Sequence, residues 1–137
     1  MYSKILVPVD LAHADKLEKS LETAARLARM ENATLVYCGV TAGTPGAVAH
    51  NPEEFKQKLS DFVAGQAART GIESTAIAMT SHDPARDLDD ALLEAIRQSG
   101  ADLVVMASHV PGVADHFFTS NAGWLATHAS VSVMVVR

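Results

Sequence analysis

Residues 101–121, ADLVVMASHVPGVADHFFTSN, decide how the rest of this chain reads. Leu103-Val104-Val105-Met106 is too short an apolar run for a helix and β-branched enough for a buried strand. Small and turn-forming residues follow, Ala107-Ser108-His109 and then Pro111-Gly112. Thr119-Ser120-Asn121 are residue types that cap a helix, and helix-like sequence continues through Ala129. A strand that ends in small residues and passes into a capped helix leaves backbone N–H groups at the end of a sheet. That arrangement suits phosphate.

Outward from this unit, strands and helices alternate. Lys4-Ile5-Leu6-Val7, with Val9, predicts a strand apolar on both faces, ended by Pro8 and Asp10. Residues 15–30 predict a helix with Leu17, Leu21, Ala24 and Ala28 as its apolar stripe and Asn32 as its end. Residues 34–38 predict a second strand, and 41–51, TAGTPGAVAHN, a loop. Phe55, Leu59, Phe62, Val63 and Gln66 line a second helix reaching Thr70-Gly71. Residues 73–79 predict the third strand, and Asp83-Pro84 the capped start of a third helix. Its stripe is Leu88, Ala91, Leu92, Ala95 and Ile96, and Gly100 closes it. After the helix at about 120–129, residues 131–136 form a terminal strand. The alternation predicts an α/β fold, a single open parallel five-stranded sheet with helices on both faces.

Bulk properties exclude several functions. The 137 residues suit one domain, 1–137, with no linker or internal repeat. The net charge is −5 with no run of Lys or Arg, which argues against nucleic acid and anionic membrane as partners. No apolar run approaches 18 residues, so no membrane insertion is expected, and a strand starting near Ser3 leaves no room for a signal peptide. The single cysteine excludes an internal disulfide and fits a reducing compartment, so a cytoplasmic protein is expected. In the terminal strand Val131, Val133, Val135 and Val136 are apolar. At a sheet edge they would offer an unpaired ladder to solvent, which a homodimer through that strand would cover; burial under a helix is the alternative.

The residues resemble the universal stress protein family over the full chain. The likeness runs from Lys4-Ile5-Leu6-Val7-Pro8-Val9-Asp10 through Met106-Ala107-Ser108-His109-x-Pro111 and Thr119-Ser120-Asn121-Ala122 to the segment from His128 to Arg137. It is closest to a short bacterial branch that reads Ala-Ser-His-x-Pro in place of a Gly-rich motif, and it departs from the family at Thr119, where a glycine is usual. The resemblance implies strand order 3-2-1-4-5, an adenine nucleotide alpha hydrolase-like fold, and binding of ATP (or AMP or ADP) with Mg²⁺. It also implies a role in stress response through a nucleotide-dependent surface change read by a protein partner. Ligands of such sheets bind where the winding reverses, beyond the strands' carboxyl ends.

The implied contacts are Pro8, Val9 and Asp10 from the first strand, Val40 after the second, and Met106, Ala107, Ser108, His109, Thr119, Ser120 and Asn121 around the phosphates. Asp10 would accept hydrogen bonds from ribose or adenine, or simply cap the next helix. Ser120 and Asn121 read equally as a plain helix cap. Residues 106–121 hold no Lys or Arg, so a triphosphate would rely on amides, hydroxyls, His109 and Mg²⁺. The absence of a cationic clamp argues against an efficient ATPase, and no catalytic residue is assigned. No HExxH or CxxC spacing points to a metal site. Two other functions remain open from the sequence, a dimeric interaction module with a decayed pocket and a slow ATP hydrolase using Asp10 or His109.

Overall fold

The computed structural model describes residues 1–108 and 121–137. The expectations for His109, Thr119 and Ser120 therefore lie outside the described residues. The strands are β1 (Lys4–Pro8), β2 (Thr34–Ala42), β3 (Ser74–Ser81), β4 (Leu103–Ala107) and β5 (Ser132–Val136). They pair in parallel in the order β3-β2-β1-β4-β5, the order the resemblance implies. The helices α1 (Glu18–Glu31), α2 (Pro52–Thr70), α3 (Pro84–Ser99) and α4 (Asn121–His128) alternate with them.

Strand alternation splits the core into two layers. Ile5, Val7, Leu35, Tyr37, Leu103 and Val105 point to one face and meet Leu17, Leu21, Ala24 and Ala28 of the α1 stripe with Phe55, Leu59 and Val63 of α2. Leu6, Val36, Cys38, Val104 and Met106 point to the other and meet Leu88, Leu92, Ala95 and Ile96 of α3 with Ala122 and Leu125 of α4. A sheet covered on both faces needs apolar residues at every position of its central strands, and β1 and β4 supply them.

Helix ends follow local chemistry. Asn51 Oδ1 accepts from the Glu54 N–H at 2.8 Å ahead of Pro52, and Asp83 Oδ1 accepts from the Arg86 N–H at 3.3 Å ahead of Pro84. Such caps are worth about 1 kcal/mol each. Gly71 and Gly100 close α2 and α3 at φ 71° and 67°, a region glycine enters without strain. Asp102 ties the starts of β1 and β4 together, its carboxylate accepting from the Ser3 and Lys4 N–H groups and the Ser3 hydroxyl.

Of the boundaries that differ from the sequence reading, two shape the site. Strand β2 continues four residues past Cys38, because residues 39–42 pair with residues 78–81 of β3 although Gly39 and Ala42 have little strand propensity of their own. Helix α1 starts at Glu18 rather than at 15, since the chain first makes a 3-10 segment, Leu11–Lys16, capped by Asp10. At the other end of the sheet, β5 pairs only with β4. It exposes Met134 and Val135, which are 40% and 37% accessible.

Candidate functional site

A cleft of about 240 Å³ opens beyond the carboxyl ends of β1 and β2. Its floor includes Val9, Cys38 and Val40, and its sides include Asp10 and Ala12, Phe55 of α2, and Pro84, Leu88 and Leu92 of α3. The loop that follows β2 forms the remaining wall with Thr44, Pro45, Gly46, Ala47, Val48 and Ala49. The lining is largely apolar, and among the described residues Asp10 is its one charged member.

The end of the β1–β2 ladder gives the floor its polar character. Alternate residues of a strand turn their N–H and C=O groups to opposite neighbours. The Leu35 N–H donates to the Glu73 carbonyl on the β3 side, whereas the Cys38 carbonyl accepts from the Val9 N–H at 2.8 Å on the β1 side. Among the described residues that bond is the last between the two strands. Val40, two residues on, has the same orientation as Cys38, but β1 has already turned away. Its backbone donor and acceptor therefore face the gap.

Asp10 leaves β1 at this gap. Its Oδ1 accepts from the Ala12 N–H at 3.0 Å and its Oδ2 lies 2.8 Å from His13 Nδ1. The loop wall is held at its far end. The Gly46 N–H donates to the Ala49 carbonyl, Lys58 Nζ donates to the Val48 carbonyl, and the His50 N–H donates to Glu54. Hydrogen bonds from the His50 amide, and then from Lys58 and the His50 ring, hold the Glu54 carboxyl down at about 2. The tip, residues 43–47, is exposed. Phe55 can reach the wall because β2 carries glycine opposite it: a Cβ at Gly39 would lie 2.8 Å from Phe55 Cζ. Burial pushes the Cys38 thiol up to about 12 and so makes it a poor nucleophile.

Helix starts near the cleft are unequal as anion sites. Asp83 occupies the Arg86 N–H of α3, Pro84 has no N–H, and Asp87 adds negative charge to the first turn. Asn51, Pro52, Glu53 and Glu54 do the same for α2. The first turn of α4, opening at Asn121, carries no acid. Among the described residues, no three His, Cys, Asp or Glu side chains come together to hold a metal ion.

The sequence-predicted contacts separate accordingly. Val9, Asp10 and Val40 share the cleft, while Pro8 is buried behind it. The side chains of Met106 and Ala107 face opposite core layers, and neither is among the described residues that line the cleft. The Ser108 N–H is used by β5, donating to the Val136 carbonyl at 2.9 Å. Trp124 packs on the α3–α4 core and stacks on His128 at 4.1 Å. Phe55 and Leu88 were not anticipated as site residues. A signal existed for both: helices of a parallel sheet begin at its carboxyl edge, so the first apolar residue of each stripe lies nearest the cleft.

Comparison with known proteins decides the family. The universal stress protein family model matches residues 1–137. The chain belongs to the universal stress protein family. Universal stress protein G of Shigella flexneri is 27% identical over 148 residues, with both chains covered in full. A universal stress protein in complex with cAMP superposes with a TM-score of 0.71 at 18% identity, over 99% of this chain and 97% of that one. The Archaeoglobus fulgidus universal stress protein in complex with dAMP gives 0.66 at 22%, over 99% and 98%. At these identities the two structures establish the universal stress protein fold for the described chain.

Proposed function

We propose that the cleft binds an adenine nucleotide, ATP or a smaller relative, and that binding reshapes the loop over it to signal in a stress response. The observation carrying this is the backbone of Val40, one donor beside one acceptor, facing a narrow apolar slot. A purine edge with an amino group beside a ring nitrogen complements that pair, and Val9, Val40, Leu88 and Phe55 supply apolar surface for its faces. Asp10 stands where a ribose hydroxyl would donate. The acidic, self-capped starts of α2 and α3 direct phosphates away from themselves, toward β4 and the start of α4, where Ser108, His109, Thr119, Ser120 and Asn121 lie in sequence. Complexes of structural neighbours with cAMP and dAMP support an adenine nucleotide as ligand. With no cation among the described residues of the lining, and no metal-holding cluster among the described residues, a triphosphate would arrive as its Mg²⁺ complex, the metal carried by phosphate.

The test is calorimetric titration with AMP, ADP and Mg-ATP, alongside melting curves. Ligand at 100 times its Kd adds about 2.7 kcal/mol and raises the melting temperature by several degrees. A protein that ignores all three nucleotides refutes the proposal.

The open edge of β5 favours a second property, self-association. We propose that a second copy covers Met134 and Val135, forming a homodimer through β5. Light scattering of Val135→Lys against the unmodified chain tests it: a dimer that becomes a monomer supports it, and a monomer in both refutes it.

A further inference from the structure

Beside the cleft mouth stands His13, whose side chain does not line the cleft itself. His13 interrupts the 3-10 segment with φ −130° and ψ 29°, values outside the helical region. The kink returns its ring to Asp10. The pair is linked twice, by the His13 N–H donating to the Asp10 carbonyl at 3.0 Å and by Nδ1 lying 2.8 Å from Oδ2. The Asp10 side chain is only 17% accessible and the His13 side chain 39%. A carboxylate of this kind would ordinarily swing about its χ angles, yet here each oxygen is held by a different donor, Ala12 N–H on Oδ1 and His13 on Oδ2.

A carboxylate has about four acceptor sites, so one partner on each oxygen leaves one free on each. Two fixed acceptors side by side match two adjacent hydroxyl donors, as in the cis-diol of ribose. A ligand lacking one hydroxyl leaves one acceptor without a partner in a mostly desolvated mouth, which costs binding.

We infer that His13 is a positioning residue that locks the Asp10 carboxylate as a two-point acceptor for a ribose diol, making the cleft selective for ribonucleotides over 2′-deoxyribonucleotides. This rests on the nucleotide reading above, which already sets Asp10 against the ribose, and goes further by naming the residue that fixes the carboxylate and the 2′-hydroxyl preference that follows. His13 acts through Asp10 without touching the ligand.

The experiment is calorimetric titration of the full chain with AMP and with dAMP, in the unmodified protein and in His13→Ala, His13→Asn and Asp15→Ala. The unmodified protein should bind AMP about tenfold tighter than dAMP, a difference of about 1.4 kcal/mol. In His13→Ala that ratio should fall below about threefold while dAMP affinity stays within about twofold. Asparagine places an amide nitrogen as many bonds from Cβ as Nδ1, so His13→Asn should restore most of the ratio. Asp15→Ala, in the same turn, should leave it unchanged. Should His13→Ala unfold, His13→Phe keeps the ring's shape without a donor and carries the same expectation. A ratio preserved without a donor at position 13 overturns the inference, as does an equal loss of both affinities or equal binding by the unmodified protein. Binding of neither nucleotide by the unmodified protein overturns the nucleotide reading itself, and this inference with it.

Discussion

Replacing Gly39 by alanine tests how β2 and α2 shape the cleft. The new Cβ would stand 2.8 Å from Phe55 Cζ, 3.1 Å from Cε1 and 3.4 Å from Leu59 Cδ2. Carbon atoms pack best at about 3.5–4.0 Å, so the ring must retreat by about 1 Å. Phe55 is 4% exposed and packed among core residues, and its open side is the cleft it lines. Overpacking of this kind costs about 1–3 kcal/mol, offset by about 0.5 kcal/mol from the lower chain entropy of alanine in the unfolded state. The expected loss is about 1–2 kcal/mol, or roughly 3–8 °C in melting temperature for a chain of this length. Nucleotide affinity should fall with it, because the ring moves into the space for the base. Melting curves and AMP titration of Gly39→Ala, Phe55→Leu and the double variant measure both effects. Leucine removes the clashing atoms, so the double variant should be more stable than the two single losses add up to, by about 1 kcal/mol. Strict additivity, or a Gly39→Ala protein that melts at the parental temperature and binds AMP unchanged, would refute this account of the wall.

Burial alone would raise the Asp102 pKa, but hydrogen bonds from Ser3 and Lys4 outweigh it and hold the carboxyl below its ordinary value. A depressed folded pKa means stability that is present above the unfolded value of about 4 and lost as pH falls through the folded one. Asp102→Ala should therefore lose about 1–2 kcal/mol at pH 7 and show a shallower decline in acid; an equally steep acid decline in urea melts counts against the latch. Cys38 should resist iodoacetamide at pH 8 in the native protein and react once unfolded in urea, whereas rapid native labelling would contradict its burial. Removing Mg²⁺ with a chelator should weaken ATP binding at least tenfold while leaving AMP within about twofold, because the described residues of the lining offer Asp10 and no cation to a triphosphate. Equal effects on both nucleotides would show that the metal acts on the protein.

Much of this architecture was legible from residue patterns, because each helix and strand carries its own period. The stripe Leu17, Leu21, Ala24 and Ala28 is buried as its spacing demands, and Asp83-Pro84 caps α3 as those residue types do elsewhere. Strand order came from the family resemblance, since hydrophobicity separates the buried β1 and β4 from the partly exposed β3 and β5 but does not say which neighbour each one pairs with. The second half of β2 was missed for a related reason: residues 39–42 are strand only because β3 pairs with them. Met106 and Ala107, expected as contacts from motif position, have side chains that the pleat sends into the two core layers, a placement that residue types alone do not reveal.

The sequence by itself determined the alternation of strands and helices, their apolar stripes, their caps and the family, because these depend on neighbours within a few residues of one another. Only the tertiary structure decided what meets at the cleft. Asp10 met His13 because the chain kinks there, Phe55 reached the wall because Gly39 lies opposite it, and Val40 was left with an open backbone pair because β1 ends sooner than β2. Each of these depends on where an element stops or bends, which a pattern of residue types does not encode.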